Sequence, residues 1–472
     1  MNIKFGTSGW RAIIADEFTY ENVRICTQAI ADHLKSIGQA KGVIIGSDAR
    51  FMSSKFMEVA AEVLAANGIK AYLCIRDTPT PVISYEILRR KLSGGINFTA
   101  SHNPPEYQGL KFSPAWGGPA LPETTKDIEE RANDIMRTGK VAKMGLDAAV
   151  TYGMLEKIDP MDTYLEDLRN KINFDVIREA KLKVLVNPLY GTSRDYLDKL
   201  LKEAGCEVTV MNDNLDPYFG GHAPEPSESH IPDMIAKMKE GNYDLGLATD
   251  GDADRFGVLG PKGVFYEANQ ILGMLLDHIK TSRPQWKGAV ARSVATTHLI
   301  DAVAAHHKIE LIETPVGFKY IGDLISQDKI LMGGEESAGL TIKGHVPEKD
   351  GIIACLLVAE MVAMQKKPIA QILTNLYSKV GTYLTKRLNF RLTEDEKNKA
   401  VENMKIDPKE VAGFKVKKVI RVDGTKCILE NDSWVLVRFS GTEPVVRFYA
   451  EAKTPEVLKT LCDKGEAFVK GS

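Results

Sequence analysis

Residues 95–104 read GINFTASHNP, a mainly apolar run that begins at Gly95 and becomes polar at Ser101. The apolar part is typical of a buried strand, because strands covered on both faces form nearly continuous apolar runs. Pro104 cannot donate to a sheet ladder, so the chain has to turn before it. The stretch therefore predicts a strand that runs straight into a polar loop.

The same arrangement returns twice further along the chain. Residues 245–254 read LGLATDGDAD, and residues 329–339 read KILMGGEESAG. Helical spacing of apolar residues separates the strand patterns, for example over 269–279. Strands that alternate with helices indicate right-handed crossovers and parallel or mixed sheets. The sequence predicts three α/β units of similar plan, with ligands bound beyond the carboxyl ends of their strands in a common central cleft.

The last part of the chain has a different pattern. From about residue 385 the strands 418–421, 426–430 and 434–439 follow one another without helical crossovers. Such a pattern favours an antiparallel α+β domain. The predicted domains are 1–150 (with the Ser101 loop), 151–260 (with the aspartate loop), 261–380 (with the Glu335 loop) and 381–472.

Composition excludes several classes of protein. The chain has 472 residues, with 61 Lys+Arg against 63 Asp+Glu, so its net charge of −2 gives no general attraction to nucleic acid or an anionic membrane. The apolar run 351–359 stops at Glu360, well short of the roughly 20 residues of a spanning helix, and predicts a buried helix. Six scattered cysteines without a Cys-x-x-Cys pair predict reduced core thiols. With no signal-like N-terminus, the sequence predicts a soluble, cytoplasmic protein without nucleic-acid or membrane partners.

Two of the polar loops carry candidate chemistry. Ser101 is a candidate nucleophile or phosphate carrier, and the alternative is an ordinary turn or N-cap serine. Asp250, Asp252 and Asp254 alternate with small residues, so their oxygens can converge on one hard cation, for which Mg²⁺ fits best. The alternatives are a solvated acidic turn or a Ca²⁺ loop, but a Ca²⁺ loop lacks its closing glutamate here.

Four further segments are weaker signals taken alone. Residues 334–339 suit sugar hydroxyls, or form an exposed acidic turn. Residues 438–444 combine guanidinium, hydroxyls and a glycine, as in a phosphate cradle, or form a hairpin turn. The glycine-rich segment 6–11 is not a nucleotide-binding P-loop, and the lysine of 314–319 is either a cleft residue or a surface residue.

Taken together and in this order, the motifs resemble the α-D-phosphohexomutase family, from Gly6 to the last helix. The resemblance implies four domains around a central cleft, a serine that is phosphorylated in the active enzyme, and a Mg²⁺ site completed by that phosphoserine. The implied residues are Ser101, His102, Lys111, Arg11 and Arg255 for catalysis, Ser101, Asp250, Asp252 and Asp254 for the metal, and Lys319, Glu335, Ser337, Arg438, Ser440, Gly441 and Thr442 for the substrate.

The resemblance also implies the activity. The GEESAG loop is closer to that of glucose-directed members, which implies a phosphoglucomutase that interconverts glucose 1-phosphate and glucose 6-phosphate through glucose 1,6-bisphosphate. The alternatives are a phosphomannomutase, a dual-specificity enzyme, a phosphoglucosamine mutase and a non-catalytic sugar-phosphate sensor. Trp10, Ala12 and Gln108 depart from the usual family pattern along the cleft wall. Whether the enzyme is a monomer or a homodimer is left open by the sequence.

Overall fold

The first domain is a mixed sheet with helices packed against it. The computed structural model describes residues 2–6, 9–439 and 445–470. The strands are β1 (Phe5–Gly6), β2 (Gly9–Ile13), β3 (Val43–Ser47), β4 (Ala71–Cys74), β5 (Gly94–Phe98), β6 (Tyr107–Pro114) and β7 (Leu155–Ile158), in the order β1-β2-β6-β5-β3-β4-β7. The helices are α1 (Tyr20–Ser36), α2 (Ser53–Ala66), α3 (Thr80–Arg90), α4 (Pro122–Thr138) and α5 (Leu146–Thr151).

The second domain is a smaller sheet in the order β12-β11-β10-β8-β9. Its strands are β8 (Lys183–Asn187), β9 (Glu207–Val210), β10 (Leu245–Thr249), β11 (Phe256–Gly260) and β12 (Val264–Tyr266). Its helices are α6 (Met161–Lys171), α7 (Phe174–Ala180), α8 (Leu197–Glu203) and α9 (Pro232–Glu240).

The third domain has the sheet order β14-β13-β15-β16. Its strands are β13 (Ala289–Ser293), β14 (Leu311–Thr314), β15 (Ile330–Glu335) and β16 (Gly339–Ile342). Its helices are α10 (Ala268–Ser282), α11 (Leu299–His306), α12 (Phe318–Ser326), α13 (Gly351–Gln365) and α14 (Ile369–Val380). The predicted buried helix is α13, and no helix in the described residues is long and apolar enough to cross a bilayer.

The fourth domain is an antiparallel sheet in the order β17-β22-β21-β20-β19-β18. Its strands are β17 (Leu384–Arg391), β18 (Glu410–Val411), β19 (Phe414–Ile420), β20 (Thr425–Leu429), β21 (Trp434–Phe439) and β22 (Val445–Ala452). Its helices are α15 (Glu394–Asn403), α16 (Pro455–Asp463) and α17 (Gly465–Lys470). The predicted α+β class of this domain is confirmed.

The first three domains share one strand order. Each contains four strands, β6-β5-β3-β4, β11-β10-β8-β9 or β16-β15-β13-β14, in which the first pair is antiparallel and the other two pairs are parallel. The prediction of three mixed-sheet units of similar topology is therefore confirmed. In each unit the loop between the third and fourth strands in sequence leaves the same edge of the sheet. The first two loops carry Ser101 and the aspartates, and the third begins directly after Glu335, the last residue of β15.

Two strands lie beyond the predicted domain limits. β7 completes the first sheet after residue 150, and β12 completes the second after residue 260. We propose that the first domain extends far enough to include β7 and that the second extends far enough to include β12. All six cysteines are free thiols, five of them buried, as the sequence predicted.

A buried polar contact joins the third and fourth domains. Nζ of Lys426 on β20 donates to the carbonyl of Val294 at 2.8 Å. The carboxylate of Glu451 on β22 accepts from the hydroxyl of Thr297 and from the indole N–H of Trp434. Both charged side chains are almost fully buried, so the fourth domain is anchored to the third by specific hydrogen bonds as well as by apolar contact.

Candidate active site

The loop after β5 presents Ser101 to the second domain. Ser101 is 2% exposed and has a φ of 54°, in the left-handed region that non-glycine residues seldom adopt. Its N–H donates to Oγ1 of Thr99 at 2.8 Å. Its own Oγ donates to Oδ2 of Asp250 at 2.8 Å. The turn therefore directs the serine hydroxyl at the aspartate loop of the next domain.

The loop after β10 gathers three buried carboxylates. One oxygen from each of Asp250, Asp252 and Asp254 lies within 4.8 Å of the other two. Asp250 is fixed by the backbone N–H of Arg255 at 3.0 Å, and Asp252 accepts from the hydroxyl of Thr80 at 2.5 Å. The structure thus brings the predicted serine and the predicted metal ligands into one cluster.

Two lysines offset part of the negative charge. Nζ of Lys111 on β6 lies 2.6 Å from Oδ2 of Asp252 and 3.2 Å from Oδ2 of Asp254. Nζ of Lys349 lies 3.0 Å from Oδ2 of Asp254. The carboxylates therefore face an ammonium group from the first domain and another from the third.

The three carboxylates differ electrostatically. Burial, together with Asp252 and Asp254, raises the pKa of Asp250 well above its ordinary value. Burial also opposes ionisation of Asp252 and Asp254. The nearby lysines outweigh it and lower the pKa of both groups.

The cluster fits a hard divalent cation. Oδ1 of Asp252 and Oδ1 of Asp254 are buried and have no hydrogen-bond partner among the described residues. An unpaired buried carboxylate oxygen is costly, and a cation ligated by oxygen relieves that cost. Carboxylate oxygens alone, without nitrogen or sulfur, suit Mg²⁺.

Further basic residues surround the serine loop. Nη1 of Arg11 on β2 donates to Oδ1 of Asn103 at 2.6 Å, which ties this strand to the loop. Nδ1 of His102 lies 3.4 Å from Oγ of Ser101. Burial, reinforced by Arg255 and Arg11, lowers the pKa of His102 well below its ordinary value and so favours the neutral imidazole. Arg255 is mostly buried beside the aspartates.

The two neighbouring glutamates of the third domain, Glu335 and Glu336, have different surroundings. Glu335 is 4% exposed, and its carboxylate accepts the N–H of Gly317 at 2.7 Å. Burial and the neighbouring Glu336 raise the pKa of Glu335 to about 7. Glu336 and Ser337, by contrast, line an open cleft of about 420 Å³. Glu336 therefore joins Glu335 as a candidate ligand-binding residue, although its Oε2 also accepts from the hydroxyls of Ser293 and Thr296.

The cleft extends to Arg255 and to the fourth domain. Lys386 and Arg387 on β17 and Tyr449 on β22 form its far wall. Burial lowers the pKa of Lys319 on α12. Arg438 at the end of β21 donates to Oδ2 of Asp423 at 2.8 Å, while its Nε has no hydrogen-bond partner in the described chain. Three of the predicted phosphate-binding residues lie outside the described residues: Ser440, Gly441 and Thr442.

Three site residues escaped the sequence reasoning. Lys349 precedes the buried helix α13, and charged residues before so apolar a segment are a usable signal. Thr80 and Arg50 lie close to the serine and the aspartates although they are distant in sequence. Arg50 comes directly after β3, at the same strand edge as the other site loops, so the edge rule applied to that strand would have found it.

Replacing Gly351 with alanine tests how the aspartate loop is supported. The N–H of Gly351 donates to the carbonyl of Ala253 at 2.9 Å, and an added Cβ would lie 2.2 Å from the carbonyl oxygen of Arg255. We expect G351A to lose about 1–3 kcal/mol of stability, as overpacking does, and to bind Mg²⁺ more weakly. Thermal unfolding with and without Mg²⁺ measures both. Gly145→Ala is the control, because Gly145 likewise lies at the start of a helix, has an ordinary φ and has open space for a Cβ. Equal behaviour of the two variants would contradict the expectation.

Comparison with known proteins places the whole chain in one group. Four models described as phosphoglucomutase/phosphomannomutase domains match: domain I at residues 2–138, domain II at 162–263, domain III at 267–380 and the C-terminal domain at 388–466.

Curated relatives cover nearly the full length. The chain is 31% identical to a phosphoglucomutase of Komagataeibacter xylinus, over 97% of this chain and 89% of that protein. It is 29% identical to a phosphoglucomutase/phosphomannomutase of Thermococcus kodakarensis, over 98% and 97%. It is 27% identical to a phosphoglucosamine/phosphogalactosamine mutase of Sulfurisphaera tokodaii, over 99% of each.

Solved structures of lower identity share the fold. Parafusin, a phosphoglucomutase from Paramecium, superposes with a TM-score of 0.84 at 20% identity, covering 100% of this chain and 96% of that one. N-acetylphosphoglucosamine mutase of Aspergillus fumigatus, in complex with GlcNAc-6P and magnesium, gives a TM-score of 0.62 at 16% identity, covering 100% and 95%. Another structure of that fungal enzyme, in complex with glucose 1,6-bisphosphate, gives 0.56 at 15% identity, with the same coverage.

Proposed function

The chain belongs to the phosphoglucomutase/phosphomannomutase family and is a phosphohexomutase, an enzyme of the isomerase class, and we propose that it interconverts glucose 1-phosphate and glucose 6-phosphate. In this proposal Ser101 carries the phosphoryl group, and glucose 1,6-bisphosphate is the intermediate. The observation that carries it is the contact of 2.8 Å between Oγ of Ser101 and Oδ2 of Asp250, within a buried cluster of three carboxylates. A structural serine would not need such a surrounding.

The proposed reaction consists of two phosphoryl transfers. In the first, the P–O bond to Oγ of Ser101 breaks, a P–O bond to the free sugar hydroxyl forms, and the hydroxyl proton passes to a basic group of the cleft. The bisphosphate then turns end for end. In the second, its other phosphoryl group moves to Oγ of Ser101, and the departing sugar oxygen takes up a proton. Atoms and charge balance over the cycle, and the enzyme ends phosphorylated as it began.

Positive charge around the serine supports this chemistry. Lys111, Lys349 and Arg255 approach the aspartate loop from the first, third and second domains. Fixed positive groups stabilise the charge that spreads over the transferring phosphoryl oxygens. Asp250, Asp252 and Asp254 are proposed to hold Mg²⁺ with the phosphoserine, and the bound ion would supply further positive charge there.

The far side of the cleft is proposed to bind the rest of the substrate. Arg438 is proposed to hold the phosphate that does not react, together with Ser440, Gly441 and Thr442, while Lys319, Glu335 and Ser337 bind on the third-domain side. Glu336 is added because it lines the cleft beside Ser337. Binding both ends of one sugar from different domains lets either phosphate face Ser101 in turn.

Intact-mass spectrometry tests the phosphoenzyme. We expect the purified protein, after incubation with glucose 1,6-bisphosphate, to carry the mass of one added phosphoryl group, located on Ser101 by peptide fragmentation. Mixing with excess glucose 6-phosphate and Mg²⁺ should remove it, because the sugar accepts the group. A phosphoryl group found on another residue, or one that glucose 6-phosphate does not remove, would contradict the mechanism.

A panel of sugar phosphates tests the substrate. A second candidate is dual glucose and mannose specificity, because the relative from T. kodakarensis carries both names. We expect kcat/KM to be about 10-fold or more higher for glucose 1-phosphate than for mannose 1-phosphate or glucosamine 1-phosphate, since groups that bond the 2-hydroxyl are left unpaired by the other sugars. Comparable values for glucose and mannose would establish the dual enzyme instead, and a preference for glucosamine would overturn both.

A further inference from the structure

Arg50 lies at the same edge of the first sheet as Ser101. It is the third residue after β3, following Asp48 and Ala49. Its side chain is fully buried, as is that of Asp48, and Nε of Arg50 donates to Oδ2 of Asp48 at 3.0 Å. Burying an arginine is costly unless its donors are satisfied. Each of the other N–H groups of this guanidinium therefore needs an acceptor within the fold.

All remaining donors of Arg50 point at the backbone of the serine loop. A guanidinium has five N–H groups in a rigid planar fork. One is taken by Asp48, and the other four each meet a main-chain carbonyl of the segment 101–107. The acceptors are the carbonyls of Ser101 at 2.8 Å, Asn103 at 2.6 Å, Pro104 at 2.6 Å and Tyr107 at 2.9 Å. One planar group thus fixes the path of the whole loop.

The Asp48–Arg50 pair fixes Ser101 from both sides of its backbone. The carbonyl of Ser101 is held by Arg50 directly. The N–H of Ser101 is held by Oγ1 of Thr99, whose hydroxyl in turn donates to Oδ2 of Asp48 at 2.6 Å. A left-handed conformation at a serine has to be imposed by its surroundings, and these contacts impose it. That conformation directs Oγ toward Asp250.

The second domain covers the same guanidinium. The ring of Phe219 lies over Arg50, with 5.0 Å between the ring centroid and Cζ. Phe219 is 3% exposed and belongs to the segment between β9 and α9. A cation against an aromatic face is stabilised most where water is excluded. The loop that carries the serine is therefore tied to the domain that carries the aspartates.

We propose that Arg50 is the positioning residue of the reactive serine. Its fork fixes the loop 101–107 so that Oγ of Ser101 meets the aspartate cluster, and Phe219 keeps that fork in place from the second domain. The proposal rests on the proposed role of Ser101 as phosphoryl carrier. It assigns Arg50 no contact with the substrate, so it predicts slow phosphoryl transfer with substrate binding intact.

Arg50→Lys is the test variant, because lysine keeps the charge and cannot reproduce a planar fork of five donors. We expect kcat to fall about 100-fold, as when reacting atoms are displaced by roughly an ångström, with KM within about threefold. In a single turnover, phosphorylated R50K should transfer to glucose 6-phosphate correspondingly slowly. Amide hydrogen exchange should rise in peptides that cover 99–107 and not elsewhere in the first sheet.

Arg283→Lys is the matched control. Arg283 is also buried, pairs with Glu360 at 2.7 Å, donates to the carbonyl of Lys171 and lies against Trp286 at 5.4 Å, but it is remote from the serine loop. R283K should lose stability to a similar degree while keeping kcat and the single-turnover rate. Phe219→Leu is the second test variant, and we expect it to lower kcat about fivefold without changing KM, since it removes only the aromatic cover.

The outcomes separate the two proposals. If R50K loses no more activity than R283K, or if KM rises while the transfer rate is kept, the positioning role is overturned and the role of Ser101 stands. If R50K does not fold, Phe219→Leu decides: an unchanged single-turnover rate overturns the positioning role, and a slowed one supports it. If Ser101→Ala retains full turnover, the phosphoserine mechanism itself fails.

Discussion

Ser101→Ala is expected to lower turnover by about 10⁴- to 10⁶-fold, the range seen when a covalent nucleophile is removed. The fold should be kept, because the lost hydroxyl contacts Asp250 at 2.8 Å and His102 at 3.4 Å, while the backbone contacts of Ser101 remain. Coupled assays of glucose 6-phosphate formation from glucose 1-phosphate, with bisphosphate present, measure the loss.

Ser84→Ala is the control for that experiment. Ser84 on α3 is buried in the same domain, and its hydroxyl donates to the carbonyl of Gly117. The control should retain turnover within about twofold, as expected of a side chain outside the reaction. Turnover by S101A close to that of the control, from protein freed of contaminating enzyme, would remove the phosphoserine from the mechanism.

Asp252→Asn is expected to weaken Mg²⁺ binding by at least about 10- to 100-fold and to lower kcat with it. The amide brings no negative charge. Its N–H₂ group also cannot accept from the Thr80 hydroxyl and the Lys111 ammonium, which both donate to Oδ2. Titrating activity and thermal stability against Mg²⁺ measures the change in apparent Mg²⁺ affinity by two independent readouts.

Asp277→Asn controls for the loss of a buried aspartate. Asp277 lies in the third domain, is mostly buried and pairs with His307 and Lys379, away from the triad. This variant should keep the Mg²⁺ dependence of the parent whatever stability it loses. If D252N shows the same Mg²⁺ titration curve as the parent protein, Asp252 is not a metal ligand.

The parallel strands of the fold are readable from sequence because burial on both faces leaves an apolar run. β10 at Leu245–Thr249 lies where the pattern placed it, and β5 at Gly94–Phe98 begins within a residue of the predicted run. The antiparallel partner β6 was not predicted, although alternation of polar and apolar residues is itself a strand signal. Its residues 108–112 are all buried, but Gln108 and Lys111 interrupt the continuous apolar run by which the parallel strands were found.

Side-chain direction within a loop depends on conformation that local sequence does not reveal. Glu335 and Glu336 are chemically identical neighbours. Which of them accepts the N–H of Gly317 depends on where β15 ends. The strand-edge rule could have found Arg50 but not its partners, because its acceptors are carbonyls some fifty residues away and have no sequence signature. Contacts to main-chain atoms leave no residue type to recognise.

The common strand order of the first three domains makes the parts of the cleft separable. Each reactive loop joins two antiparallel strands at the same edge of its own sheet. A substitution in one loop therefore leaves the sheets that support the other two loops unchanged. A protein that has lost its serine hydroxyl should therefore still capture the bisphosphate at full affinity and release it unchanged. Such a silent variant would allow the end-for-end rotation of the intermediate to be followed spectroscopically, free of any bond-breaking event.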